Sequence, residues 1–367
     1  MKILYLGDFD PRQTSRHVGE ALQRLGHTLE VRDPAAELGM KTQSRWLGAL
    51  HYRSGYRLLQ PRVLRWVRSL DLAAIRPDVV WVDGGDLLGR AALRVLKRAG
   101  APVVLRSNDD PTGPRDARRF ATLRRALPEY DLVAVHARER VPQAEYRAFG
   151  VERVLPIVMG YDEVHHRPFE TRDAIDPALR SQVAFVGTWI PGDARDDFVC
   201  RLLELGVPVT VWGNNWHKAP RWAEVKPHWR GPALSGRDYV GALQGAELVL
   251  GLLSHGNRDG HTQRSNEVPY CGGLLCAERS GEHLSMFRDG EEAVFWTDAD
   301  DCAAQCKRLL ADDALRARIR AAGMRRVRAN RVGNEDVARL ILETLADAGK
   351  PAPSPFEPRL PAAAASH

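Results

Sequence analysis

The chain has 367 residues, 44% hydrophobic and 27% charged, with 53 Lys and Arg against 47 Asp and Glu for a formal net charge of +6. That length exceeds one ordinary domain and suits two, and the mixed composition excludes a disordered or fibrous chain. The five cysteines are odd in number and contain no CxxC pair, which suggests neither a disulfide framework nor a zinc ribbon and fits a reducing, cytoplasmic setting best.

The opening run Met1–Gly7 is too short for a signal peptide and reads into a buried strand, and no later stretch is apolar enough to span a membrane. Short apolar runs alternating with amphipathic stretches of helical length predict strands at Lys2–Gly7, Thr28–Arg32, Asp78–Asp83, Pro102–Ser107, Asp131–His136 and Arg153–Val158, with helices between them, beginning at Ser15–Leu25. The stretch 160–169 lacks either periodicity and reads as a linker. Strands at Gln182–Gly187, Pro208–Trp212, Glu247–Leu252, Leu274–Ala277 and Ala293–Trp296 then alternate with helices near 195–205, 237–244, 266–271, 301–311 and 314–329. This is an α/β chain with two Rossmann-like domains, residues 1–165 and 178–331. A helix within 332–349 is placed to cross back to the first domain, and the Pro- and Ala-rich tail 350–367 is expected to be disordered.

Ligands of open parallel sheets sit beyond the carboxyl ends of the strands, so the residues there come first. The loop Gly7-Asp8-Phe9-Asp10 has neither GxGxxG nor a Walker lysine, which argues against a dinucleotide or ATP cradle. Its DxD spacing resembles a divalent-cation site but offers only two oxygens, and the expectation is no metal. Asp8, Asp109 and His136 end first-domain strands and are candidate general bases facing an acceptor hydroxyl; loop hydrogen bonding or helix capping is the bland alternative for each.

In the second half, Gly187 and Thr188 end a buried strand shortly before Arg195 opens a helix, a pattern that brings backbone N–H groups and a guanidinium to a diphosphate. Trp212 and Gly213 end the next strand and suit a nucleobase wall, with core packing as the rival for Trp212. The polar loop 255–267 leads Arg264 toward the phosphates and Glu267 toward ribose hydroxyls, while Gly272 and Gly273 permit close backbone approach. Capping alone also explains an acid on a first helical turn.

The spacing Arg264…Glu267, then Gly272-Gly273-Leu274, then Arg288-Asp289-Gly290-Glu291-Glu292, with closing helices through Leu309–Gly323, resembles the group 1 glycosyltransferases of the spore-maturation (CgeB-like) type. The likeness runs from Val183 to Val327. It implies a GT-B fold, two Rossmann-like domains with parallel sheets facing across a cleft. It further implies a nucleotide-sugar donor as co-substrate without other cofactor, transfer without metal, and retention at the anomeric carbon. By resemblance Glu267 is the ribose ligand, and Gly187, Thr188 and Arg195 lie near the phosphates. Two positions depart from the family: Asp259 stands where a longer acid is common, and Asn266 where an aromatic is common.

Between Lys41 and Leu70 there are seven Lys or Arg and no acid, interleaved with Trp46, Tyr52, Tyr56 and Trp66. That composition suits peripheral contact with an anionic membrane at its inner face, or a solvated helix face. The acceptor is expected to be a glycan, lipid-linked or small-molecule hydroxyl. An epimerase on the same fold and a basic nucleic-acid binder, the latter suggested by this segment and the Arg-rich 316–331, are the alternatives, although no nucleic-acid module is recognisable and no nucleic-acid partner is expected.

Overall fold

The computed structural model describes residues 1–136 and 143–347; the expected tail 350–367 lies outside them. The chain forms two compact units. The first comprises Met1–Val158 with the C-terminal segment from Asn334, the second Met159–Gly333. No helix among the described residues is long and apolar enough to cross a membrane.

The first unit has six parallel strands, β1 (Lys2–Leu6), β2 (Thr28–Arg32), β3 (Val79–Asp83), β4 (Val103–Ser107), β5 (Leu132–His136) and β6 (Val154–Ile157), in the order β2-β1-β3-β4-β5-β6. Central strands such as Val79-Val80-Trp81-Val82 are apolar on both faces because helices cover both. One face carries helix Thr14–Arg24 and, from the far end of the chain, helix Asn334–Ala346. The apolar stripe Val337, Ala338, Ile341, Leu342 and Leu345 recurs every three or four residues and packs with Ile3, Tyr5, Val18 and Leu22.

The second unit repeats the plan with β7 (Ser181–Val186), β8 (Val209–Trp212), β9 (Trp229–Gly231), β10 (Ala246–Gly251), β11 (Leu275–Glu278) and β12 (Val294–Trp296), all parallel, in the order β12-β11-β10-β7-β8-β9. The segment 160–169, expected as a linker, folds into this unit. Asp162 is fully buried and accepts the N–H groups of Val164 and His165, each at 2.9 Å, which replaces periodic structure with an Asx-type turn.

In each sheet the winding direction reverses once, between β1 and β3 in the first unit and between β7 and β10 in the second. At such a reversal the loops from adjacent strand ends diverge to opposite faces and leave a crevice, where ligands of open α/β sheets bind.

Candidate functional site

The second-unit crevice is built on the end of β7. Arg264 Nε donates to the Val186 carbonyl, and two residues on Arg195 Nη1 donates to the Thr188 carbonyl at 2.7 Å. Both guanidinium groups are therefore fastened to one strand end. Arg195 is only 7% exposed and pairs with Asp193 at 3.2 Å, which Ser254, just beyond β10, also contacts at 3.2 Å. Burial pulls the Arg195 ionisation below its ordinary value, opposed by Asp193 and assisted by Arg264. Its Nε is buried without a partner among the described residues. A desolvated guanidinium with an unused donor is an incomplete arrangement that an anion completes.

Gly187 and Gly213 hold the strand ends together. A Cβ at Gly213 would lie 2.0 Å from the Gly187 carbonyl oxygen, and its φ of +151° disfavours any side chain. The Trp216 indole N–H caps the Gly187 carbonyl at 2.9 Å, and Trp229 caps Gly213 at 3.0 Å. These glycines are thus required by strand-end packing. Trp212 presents no open face for a base: it is buried, with the Arg230 guanidinium 5.8 Å from its ring centroid.

Glu267, on helix Gln263–Tyr270, is 6% exposed rather than open. Tyr239 donates its hydroxyl to one carboxylate oxygen, and His166 Nε2 lies 3.6 Å from the other. Because His166 Nδ1 accepts the Asp162 N–H at 2.8 Å, the neutral ring carries its hydrogen on Nε2, toward Glu267. Asn266 is fully buried and donates to the Met159 carbonyl at 2.7 Å, a local reason for an amide at this position. Gly272 does not join the group. It follows the C-terminus of that helix with φ +84°, where its N–H binds the Pro269 carbonyl at 3.1 Å, so its role there is to close the helix.

The first-unit crevice is a pocket of about 290 Å³ whose walls include Asp8, Asp33, Asp83, Asp86, Asp109 and Arg119. Asp8 and Asp109 thus share one cavity. Asp8 pairs with Lys41 at 2.6 Å while Asp10 pairs with Arg12 at 3.1 Å, so the two acids of the DxD triplet each hold a separate cation. His136 is not in the pocket wall; it is buried and hydrogen-bonds Asn108 at 2.7 Å, bracing the end of β5. Arg119 bridges Asp86 at 2.8 Å and Asp109 at 3.0 Å.

Burial pushes the Asp86 carboxyl up to about 6 despite the pull of Arg119, with Asp109 adding to the rise. A carboxyl that holds its proton more tightly when folded stabilises the fold below its ordinary value of 3.8 and loses that contribution as pH rises through about 6. The melting temperature of the wild type minus that of Asp86→Asn is therefore expected to fall between pH 4 and pH 6.5 and then level off. A difference flat across that range contradicts the shift.

Sequence reading did not single out Asp193, Ser254, Tyr239, His166, Asp86 or Arg119 as site residues. Asp86 and Ser254 carried a signal, as polar residues just beyond the ends of β3 and β10. Three thiols also converge: Cys276, Cys302 and Cys306 lie within 4.8 Å of one another, fully buried in the second unit's apolar core. Buried free thiols pack as small apolar groups. The Arg-rich helix Asp313–Ala329 turns several cations inward, with Arg316 and Arg320 bound to Glu247 and Arg326 to Glu292, while Arg318, Arg325 and Arg328 stay exposed.

Residues 195–343 match the model of a glycosyl transferase-like family. No curated protein matches the sequence significantly. Among solved structures the chain is similar to Anabaena Alr3699/HepE in complex with UDP and glucose, at 17% identity over 94% of this chain and 99% of that one, TM-score 0.61. It is similar to sucrose-phosphate synthase from Thermosynechococcus elongatus, at 13% identity over 95% and 99%, TM-score 0.62. A Listeria monocytogenes protein described as a UDP-N-acetylglucosamine 2-epimerase matches at 12% identity over 95% and 97%, TM-score 0.55. One fold thus serves transfer and epimerisation, so these likenesses establish the GT-B architecture, and the glycosyl transferase-like match covers residues 195–343, most of them in the second unit.

Proposed function

We propose that this chain is a glycosyltransferase that moves a sugar from a nucleotide diphosphate sugar, bound by the second unit, to an acceptor hydroxyl bound by the first, without a metal ion and with retention at the anomeric carbon. The observation that carries the donor assignment is Arg195, desolvated at the β7/β10 reversal with its Nε unused. A diphosphate there gains charge-assisted hydrogen bonds from Arg195 and Arg264, and the same contacts neutralise the charge that develops as the nucleotide departs. That replaces a metal as the electrophile. Glu267, oriented by Tyr239 and His166, accepts ribose hydroxyls along its remaining open edge.

In the first unit, Asp8, Asp86 and Asp109 line the acceptor pocket, with Arg119 setting the orientation of the last two. A carboxylate there orients the hydroxyl and takes its proton as the new bond forms, and holding both reactants in place supplies much of the rate. His136 acts through Asn108 as a support.

A thermal-shift screen against UDP-, GDP-, dTDP- and CMP-sugars, run with added divalent cations and again in EDTA, tests this reading. A ligand that binds only the folded chain stabilises it by about 2.7 kcal/mol at a hundredfold excess over its Kd. One nucleotide series is expected to shift the melt, and Glu267→Ala to reduce the shift. No response from any nucleotide sugar overturns the donor assignment. Loss of the response in EDTA overturns metal independence, and conversion of a donor to its epimer without an acceptor favours the epimerase.

A further inference from the structure

Helix Arg45–Arg53 of the first unit turns apolar side chains outward. Trp46 is 88% exposed, Leu50 51% and Leu47 41%, with Tyr52 and Leu58 exposed beside them. Among the described residues eight large hydrophobic side chains are exposed, and five of them fall between Trp46 and Leu58, so this is a patch and not the scatter normal for a surface.

The segment that carries the patch is rich in cations, although Asp116 accepts the Tyr52 hydroxyl at 3.0 Å beside it. Lys41, Arg45, Arg53, Arg57, Arg62, Arg65 and Arg68 are all exposed, with no acid between residues 41 and 70. Arg45, Arg53, Arg57, Arg65 and Arg68 have no carboxylate partner among the described residues, whereas Arg119, Arg221 and Arg316 elsewhere each hold acids. The segment is also spliced into the acceptor pocket. Met40 and Tyr56, at either side of the helix, line it; Lys41 pairs with Asp8 and Asp33; and Arg119, which grips Asp86 and Asp109, lies 5.7 Å from the Tyr52 ring centroid.

We propose that helix Arg45–Arg53 lies in the headgroup layer of an anionic bilayer, and that the acceptor is a membrane-borne amphiphile whose hydroxyl end enters the pocket at the helix's edge. An indole with an apolar body and a polar N–H sits most favourably at that depth, and each unpaired arginine near an anionic surface strengthens binding by about fivefold. A second copy of the chain is disfavoured as the occupant because the patch would meet its own like charges. The docking stands on exposure and charge alone; the acceptor class rests on the transferase reading.

Sedimentation of the full chain with phosphatidylglycerol-containing vesicles is expected to show binding that weakens with salt and is absent with phosphatidylcholine alone. Trp46→Glu with Leu50→Glu is expected to cut that binding by more than about tenfold, and Leu284→Glu, at a 43% exposed leucine of the second unit, to leave it unchanged. The nucleotide-induced thermal shift persists in all three proteins, which separates a failure of docking from a failure of folding or of the donor assignment. Equal binding to both vesicle types, no binding, or indifference to the paired substitution overturns the proposal. So does retention by heparin without vesicle binding, which marks a soluble polyanion, or a dimer that the paired substitution dissolves. Transfer to a long-chain alkyl glycoside in the vesicles is expected to exceed transfer to its short-chain analogue; equal rates overturn the acceptor class and leave the docking intact.

Discussion

Arg195→Met is expected to weaken nucleotide diphosphate binding by about 10- to 150-fold, the equivalent of the 1.5–3 kcal/mol that a hydrogen bond to a charged group contributes. The same change strands Asp193, whose side chain is 3% exposed, and breaking a buried pair from one side costs about 3–5 kcal/mol of stability. Loss of binding in this variant therefore mixes two causes. Adding Asp193→Asn separates them, because the neutral amide no longer needs a cation and still accepts a hydrogen bond from Ser254. Urea denaturation is expected to show most of the stability returning in the double variant, while titration calorimetry shows nucleotide affinity still depressed. If affinity returns with stability, Arg195 is a structural residue and the donor assignment loses its main support.

Gly213→Ala is expected to destabilise the second unit by more than about 3 kcal/mol and to remove nucleotide binding with it. The methyl group would sit 2.0 Å from the Gly187 carbonyl oxygen and 2.5 Å from its carbon, and neither can yield as a flexible side chain would. Parting the ends of β7 and β8 displaces Thr188, whose carbonyl anchors Arg195, so the damage reaches the anion site through the backbone. Gly206→Ala is the control. Gly206 also has a left-handed φ, +77°, but nothing lies within 4 Å of its Cβ position, so only the conformational cost of about 1–2 kcal/mol is expected. Chemical denaturation of both variants gives the comparison, and equal losses would show that backbone strain matters at Gly213 and the close approach does not.

The first sheet was legible from local pattern, and so was the second except for β9, whose three residues Trp229–Gly231 are too few to show a periodicity. Buried parallel strands announce themselves as short apolar runs, and the twofold alternation with amphipathic helices is a property of neighbouring residues in the chain. The strand-end rule likewise led to Asp8 and Asp109 and to Arg195 and Arg264 without coordinates, because it needs only the location of each strand's carboxyl end. The same rule has no means of telling a ligand from a brace. Trp212, Gly213 and Gly272 occupy places that suit contact with a ligand, yet one is buried, one is demanded by a neighbouring carbonyl and one closes a helix.

What the sequence by itself determined is the α/β class, the doubling of the fold and the polar strand ends, all written in contacts a few residues long or in periodicity along one element. Only the tertiary structure decided which charges meet. Asp193 reaches Ser254 across 61 positions, Tyr239 finds Glu267 across 28, and Arg119 joins Asp86 across 33. Such partners leave no trace in local pattern, since pairing and desolvation depend on the order in which the strands assemble. The outward turn of Trp46 was equally invisible: an aromatic among arginines reads the same whether it packs inward or faces outward, and the fold alone chose.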